Sequence, residues 1–155
     1  MNYLYALDIS MKQTGIAIFD IDSLQPAYVG SIKTKDKDTY GKRLQHIAKE
    51  LKNIVNNYPP SVVVMERGFT KFNKSTQAIY RVVGVIEFLF ANYEQISYTP
   101  MTVKASILKG NASKKEVQNK IKENFDIDFK NEDESDAFSV GLCYMIKNGY
   151  IDWEK

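Results

Sequence analysis

Apolar residues come in runs whose spacing changes along the chain. Tyr3 to Ser10 and Gly15 to Ile21 are rich in strand formers, and the short break at Lys12-Gln13-Thr14-Gly15 predicts a hairpin between them. Tyr28 to Ile32 is a candidate third strand. From Lys42 to Val55 the period lengthens, placing Leu44, Ile47, Ala48, Leu51, Ile54 and Val55 on one face of a helix. Pro59-Pro60 breaks this pattern before Val62-Val63-Val64-Met65, a continuous apolar run typical of a strand buried on both faces. Ser75 to Asn92 predicts a second long helix, apolar nearly all round and therefore either central or covered by a partner. Ile96 to Tyr98 is a short strand, and Pro100 starts a helix. Ser113 with Glu116, and Asn131 with Glu134, have the spacing of capping boxes that open two more helices, the last running to about Asn148 before Gly149. The predicted order is β-β-β-α-β-α-β-α-α-α, one α/β domain over residues 1–155 with a mixed sheet.

Composition changes little in this picture. The 155 residues are 44% hydrophobic and 26% charged, as in an ordinary globular chain. No apolar stretch approaches a membrane span, and the N-terminus lacks the pattern of a secretory signal. One cysteine and one histidine exclude an intramolecular disulfide and most zinc sites. The expectation is a soluble, cytoplasmic protein with no membrane association.

The net charge of +2 is small, but its distribution is uneven. Lys33 to Lys52 holds seven basic residues against three acidic, Arg67 to Arg81 four against none, and Lys104 to Lys122 six against one. Seven acids then crowd between Glu123 and Asp136, offset only by Lys130. Basic segments around an acidic cluster fit a polyanion held near a metal-binding centre.

The acids have a definite placement. Asp8 ends the face Leu4-Ala6-Asp8 of the first strand, and Glu66 ends the face Val62-Val64-Glu66 of the most apolar one. A carboxylate continuing an apolar face is costly unless paired, protonated or metal-bound. Each alone could be the first exposed residue after its strand. Asp133 and Asp136 lie one turn apart at the start of the last helix. The helix macrodipole accounts for acids in a first turn, and thus for Glu132, Asp133 and Glu134, but it accounts poorly for Asp136. Oxygen-only ligands suit Mg²⁺ or Mn²⁺, and four carboxylates match two such ions in charge, as two-metal phosphodiester hydrolysis requires. No covalent nucleophile is indicated, since Ser135 and Cys143 have no evident base and His46 lies in a distant helix.

Leu7-Asp8-Ile9-Ser10 with Thr14-Gly15-Ile16-Ala17, then Val62 to Phe69, then Asp133-Glu134-Ser135-Asp136-Ala137 resemble the RuvC Holliday-junction resolvases in order and spacing. The resemblance spans nearly the whole chain. It implies a ribonuclease H-like (retroviral integrase) fold: a mixed five-stranded sheet with one antiparallel strand, flanked by helices. It implies Asp8, Glu66, Asp133 and Asp136 as catalytic, metal-binding acids. It further implies a metal-dependent endonuclease that resolves four-way junctions by paired nicks, acts as a homodimer, and needs no small-molecule cofactor beyond Mg²⁺ or Mn²⁺.

The family's aromatic wedge matches Phe69 by spacing, with Phe72 the alternative. Its two lysines match Lys104 and Lys114, with Lys115 an alternate for the second. Lysines in a first helical turn oppose the dipole, whereas a phosphate there would meet both the lysines and free N–H groups. Phosphates of the arms are expected along Lys71, Lys74, Arg81, Lys104, Lys114 and Lys115, and the apolar Ser75–Asn92 helix is the candidate dimer face. Ser10, where families of this fold often have glycine, and the unusual Met11-Lys12-Gln13 point to a divergent member, a viral (phage) one among the alternatives.

Rival readings are a nuclease for forks, displacement loops or structured RNA, and a junction-binding protein without catalysis. A third is an actin-like or sugar-kinase lobe, suggested by Asp8 with Thr14-Gly15. The chain is too short for two such lobes and has no second glycine-rich loop.

Overall fold

The computed structural model describes residues 2–67 and 73–155. Its elements follow the predicted order. They are β1 (Tyr3–Asp8), β2 (Gln13–Asp20), β3 (Gln25–Lys33), α1 (Tyr40–Asn57), β4 (Pro60–Glu66), α2 (Lys74–Leu89), β5 (Glu94–Tyr98), α3 (Pro100–Ile107), α4 (Lys114–Asn124) and α5 (Glu132–Lys147). The five strands form one sheet in the order β3-β2-β1-β4-β5. β2 runs antiparallel to β1 and β3, while β1, β4 and β5 are mutually parallel. The sheet is therefore mixed with one antiparallel strand, as expected.

Strand alternation divides the core in two. Leu4, Ala6, Val62 and Val64 face α3, α4 and α5, whereas Tyr5, Leu7, Val63 and Met65 face α1 and α2. Burial of each such side chain contributes about 1.5–3 kcal/mol, so a one-residue slip would forfeit both layers at once. Asp8 and Glu66 continue the first of these faces, beneath α5.

Two expectations about local structure are corrected. The turn between β1 and β2 is Ile9–Lys12, and Gln13 to Gly15 already belong to β2, where they pair with β3. Ser10 closes it through its own side chain, whose Oγ accepts from Lys12 N, while the Thr14 hydroxyl donates to Ser10 O at 2.6 Å. At α5, Asn131 caps by accepting from Glu134 N (2.9 Å), but the Glu134 carboxylate does not return to Asn131. It accepts from Lys130 N at 2.7 Å instead and is buried. The box at α4 is reciprocal as predicted, with Ser113 and Glu116 each bonding the other's backbone N–H. α5 ends with Gly149 at φ 73°, where Tyr150 N bonds Met145 O in a Schellman-type closure.

α2 is less symmetric than its composition suggests. Val82, Val83 and Ile86 are buried against the sheet, but Tyr80 is 54% and Phe88 80% exposed. These two residues share one outward face, two turns of helix apart.

Candidate active site

Asp8 and Glu66 sit side by side. β1 and β4 pair in parallel with Asp8 opposite Glu66, and both side chains project from the central pair of strands at its carboxyl edge. α5 starts over the same edge. It can do so because residue 15 is glycine: a Cβ there would lie 2.0 Å from the Asp133 carbonyl oxygen. Gly15 is itself opposite Asp8 in the β1–β2 ladder, so this close approach brings Asp133 over Asp8. Asp136 follows one turn later, half-buried.

Burial and the neighbouring acids both act against ionisation here. Burial, and then the charges of Asp136, Glu66 and Asp133, push Asp8 from 3.8 up to about 8, with Lys114 opposing. Burial and Asp136 push Glu66 from 4.5 up to about 7 against the pull of Lys114 and Lys104. Asp133 is raised by burial and by Asp136. Burial alone would lower Lys114, but Asp136 and Glu132 outweigh it and hold that ammonium above its ordinary range. Lys114 Nζ lies 3.1 Å from Asp136 Oδ2 and 3.4 Å from Glu132 Oε2.

Among the described residues, no three carboxylate, imidazole or thiolate groups are drawn together tightly enough to grip one ion as the side chains stand. Uncompensated carboxylates repel, and Lys114 already holds Asp136. In chemistry the set still fits a hard divalent cation, being all oxygen and carrying charge that burial makes costly.

A pocket of about 280 Å³ opens beside Glu66 and Asp136, walled by Lys104, Lys114, Gln118 and Ser135. A smaller one of about 150 Å³ lies on the other side of Glu66, toward Asp8, Arg67 and Thr76. Glu66 thus stands between two halves of one cleft.

Of the expected site residues, Asp8, Glu66, Asp133, Asp136, Lys104 and Lys114 are brought together. Lys115 is exposed on α4 and Lys74 at the start of α2. Arg81 stacks its guanidinium over the Tyr40 ring at 4.2 Å. Phe69, Lys71 and Phe72 lie outside the described residues. Glu134, next to Asp133, is turned away to cap Lys130 N. Sequence reasoning missed the bond from Gln118 Nε2 to Ser135 Oγ (3.0 Å), which ties α4 to the acidic turn of α5. No local pattern signals that pair. It missed also the role of Gly15, for which the small residue opposite Asp8 was the available clue.

The family described as "Crossover junction endodeoxyribonuclease RuvC" has a model that matches residues 5–144. The chain belongs to the RuvC family. The RuvC protein of Ehrlichia canis is 34% identical over 151 residues, covering 93% of this chain and 97% of its own. That of Chlamydia muridarum is 33% identical over 141 residues, 85% of this chain and 82% of its own. In fold the chain is similar to RuvC of Thermus thermophilus, solved in complex with a Holliday junction substrate, at TM-score 0.84 and 15% identity over 96% of each chain. The yeast mitochondrial Holliday junction resolvase has the same fold at TM-score 0.67 and 13% identity, over 95% of this chain and 80% of its own. The RuvC fold is thus preserved where little sequence is. The acids here lie where its two central strands and its last helix meet.

Proposed function

We propose that this RuvC-family endodeoxyribonuclease resolves four-way DNA junctions by metal-dependent hydrolysis, with Asp8, Glu66, Asp133 and Asp136 as its catalytic acids. The observation that carries the reading is the Asp8–Glu66 pairing beneath the first turn of α5, in a chain whose relatives carry the crossover junction endodeoxyribonuclease name. Bound there, two Mg²⁺ or Mn²⁺ ions would supply an activated water and stabilise the leaving 3′-oxygen. The four carboxylates would hold these ions, which requires Asp8 and Glu66 in their ionised form. Lys104 and Lys114 border the larger pocket and offset the charge of the strand being cut. Lys114, now 3.1 Å from Asp136, would have to release that carboxylate for it to serve as a metal ligand.

Two symmetric nicks call for two sites, which a C2 dimer supplies through one self-complementary patch. The outward face of α2, with Tyr80 and Phe88, is the proposed patch; a monomer leaves 80% of Phe88 in water.

A panel of a four-way junction, a fork, a displacement loop, structured RNA and a linear duplex tests the substrate assignment. Paired nicks at the crossover of the junction, with the linear duplex left intact, are expected. Equal cutting of linear duplex would refute junction selectivity.

A further inference from the structure

β1, β3, β4 and β5 run the same way, so their carboxyl ends share one edge of the sheet. Lys104 and Lys114 stand on the β5 side of the acids. On the opposite side that edge carries a second group of cations to which the catalytic reading gives no role. Lys12 lies in the β1–β2 turn, Lys33 ends β3, and Lys35 and Lys37 follow in the turn closed by the bond from Asp38 N to Lys35 O. All four are exposed, and among the described residues none takes part in an ion pair.

The backbone that displays them is braced. Gln13 pairs with Lys33, and Thr34 N donates to Lys12 O at 3.0 Å. Arg43, its side chain only 11% exposed, reaches up from α1. Its Nε donates to Thr34 Oγ1 (2.8 Å), and its Nη2 to Met11 O (3.4 Å) and to the Asp36 carboxylate (3.3 Å). Asp36, lodged among the lysines, is thereby neutralised from beneath, and Asp38 offsets only part of their charge. Clustered like charges repel one another, and the surplus left on this braced edge is complementary to a polyanion. The braced backbone has little ordering entropy left to lose when one binds, so the cost falls on the lysine side chains alone.

We infer that Lys12, Lys33, Lys35 and Lys37 form a phosphate-binding platform for the duplex arm that leaves the cutting site on the β3 side. The inference rests on the reading of the chain as a junction nuclease and adds a surface to it. Adjacent strands are about 4.8 Å apart, so β3 lies roughly 10 Å from the strand that carries Asp8. A duplex advances about 3.4 Å per base pair, and a lysine side chain extends the reach further. The contacts therefore fall roughly three to five nucleotides from the scissile phosphate. They position the arm without reading its sequence.

The test compares wild type with a variant in which all four lysines are glutamine and another in which all four are arginine. Each is titrated against a four-way junction without divalent cations, from about 0.05 M to about 1 M salt. Each phosphate contact contributes roughly 0.9 to the slope of log affinity against log salt. The glutamine variant should lose about 2 to 4 from that slope and at least ~10-fold in affinity near 0.1 M, with the gap closing toward 1 M. The arginine variant should keep both. Neutral methylphosphonate linkages three to five nucleotides from the cut should weaken wild type and leave the glutamine variant indifferent. An unchanged slope, an arginine variant as weak as the glutamine one, or wild type blind to the neutral linkages would each overturn the platform. Wild type that binds no junction at all would bring down the resolvase reading, and the platform with it. Normal wild-type binding with an unaffected glutamine variant would sink the platform alone.

Discussion

Asp8 and Glu66 would ionise near their ordinary values of 3.8 and 4.5 in an unfolded chain, but in the fold they are raised to about 8 and about 7. Between those limits the folded state holds more protons than the unfolded one, so its stability falls as pH rises. The contribution is fully present below about pH 4 and gone above about pH 8. In the presence of a chelator, the melting temperature should therefore decline from pH 5 to pH 8. Asp8→Asn, neutral throughout, should remove much of that decline and melt above wild type at pH 8. Identical pH slopes for the two proteins would show that Asp8 does not carry the strain. If Asp8 and Glu66 hold a divalent ion as proposed, the same protons leave on binding, and Mg²⁺ or Mn²⁺ affinity should rise over this interval. Calorimetry in two buffers of different ionisation enthalpy would read their release directly.

How the elements meet depends on contacts of very different legibility. The strand faces ending in Asp8 and Glu66 are written in a two-residue alternation, and the order of all ten elements follows from local periodicity and caps. Ser113 with Glu116 is a local signal, and it holds. Asn131 with Glu134 is the same signal, but Glu134 finds Lys130 N instead. The approach of α5 to Gly15 joins residues more than a hundred positions apart, and the Arg43 brace joins a helix, a turn and a strand end. No periodicity encodes either. α2 shows the same limit: its composition left core and interface equally open, and only packing separates buried Val82, Val83 and Ile86 from exposed Tyr80 and Phe88. The Gly15 contact makes a sharp prediction. Gly15→Ala forces the first turn of α5 to shift, costing about 1–3 kcal/mol in denaturant titrations, and junction cleavage should fall further than the lost stability explains. Gly41→Ala, in α1 with nothing within 4 Å of the new methyl, should be neutral or stabilising by up to about 1 kcal/mol and cut normally. Full activity in Gly15→Ala would mean that the exact seat of Asp133 is immaterial.

At the scale of the whole molecule, one cleft makes one nick, and pairing the nicks requires a partner. Phe88→Lys should convert the proposed dimer to monomer in sedimentation without unfolding it, because Phe88 is 80% exposed. Such a variant should release singly nicked junctions in place of resolved duplexes. A variant that stays dimeric would move the interface elsewhere on the surface. The central claim is that the acids gathered at the carboxyl edge of the sheet cut branched DNA. Its most direct test is cleavage of a synthetic four-way junction and a linear duplex in Mg²⁺ or Mn²⁺ by wild type and by Asp8→Asn. Wild type should place paired nicks near the crossover and spare the linear duplex. Asp8→Asn should bind the junction and lose more than the roughly 100-fold that removing an outer partner of a metal ligand can cost. Cleavage by Asp8→Asn at the wild-type rate would contradict the assignment of this site, and failure of wild type to cut in either metal would contradict catalysis itself.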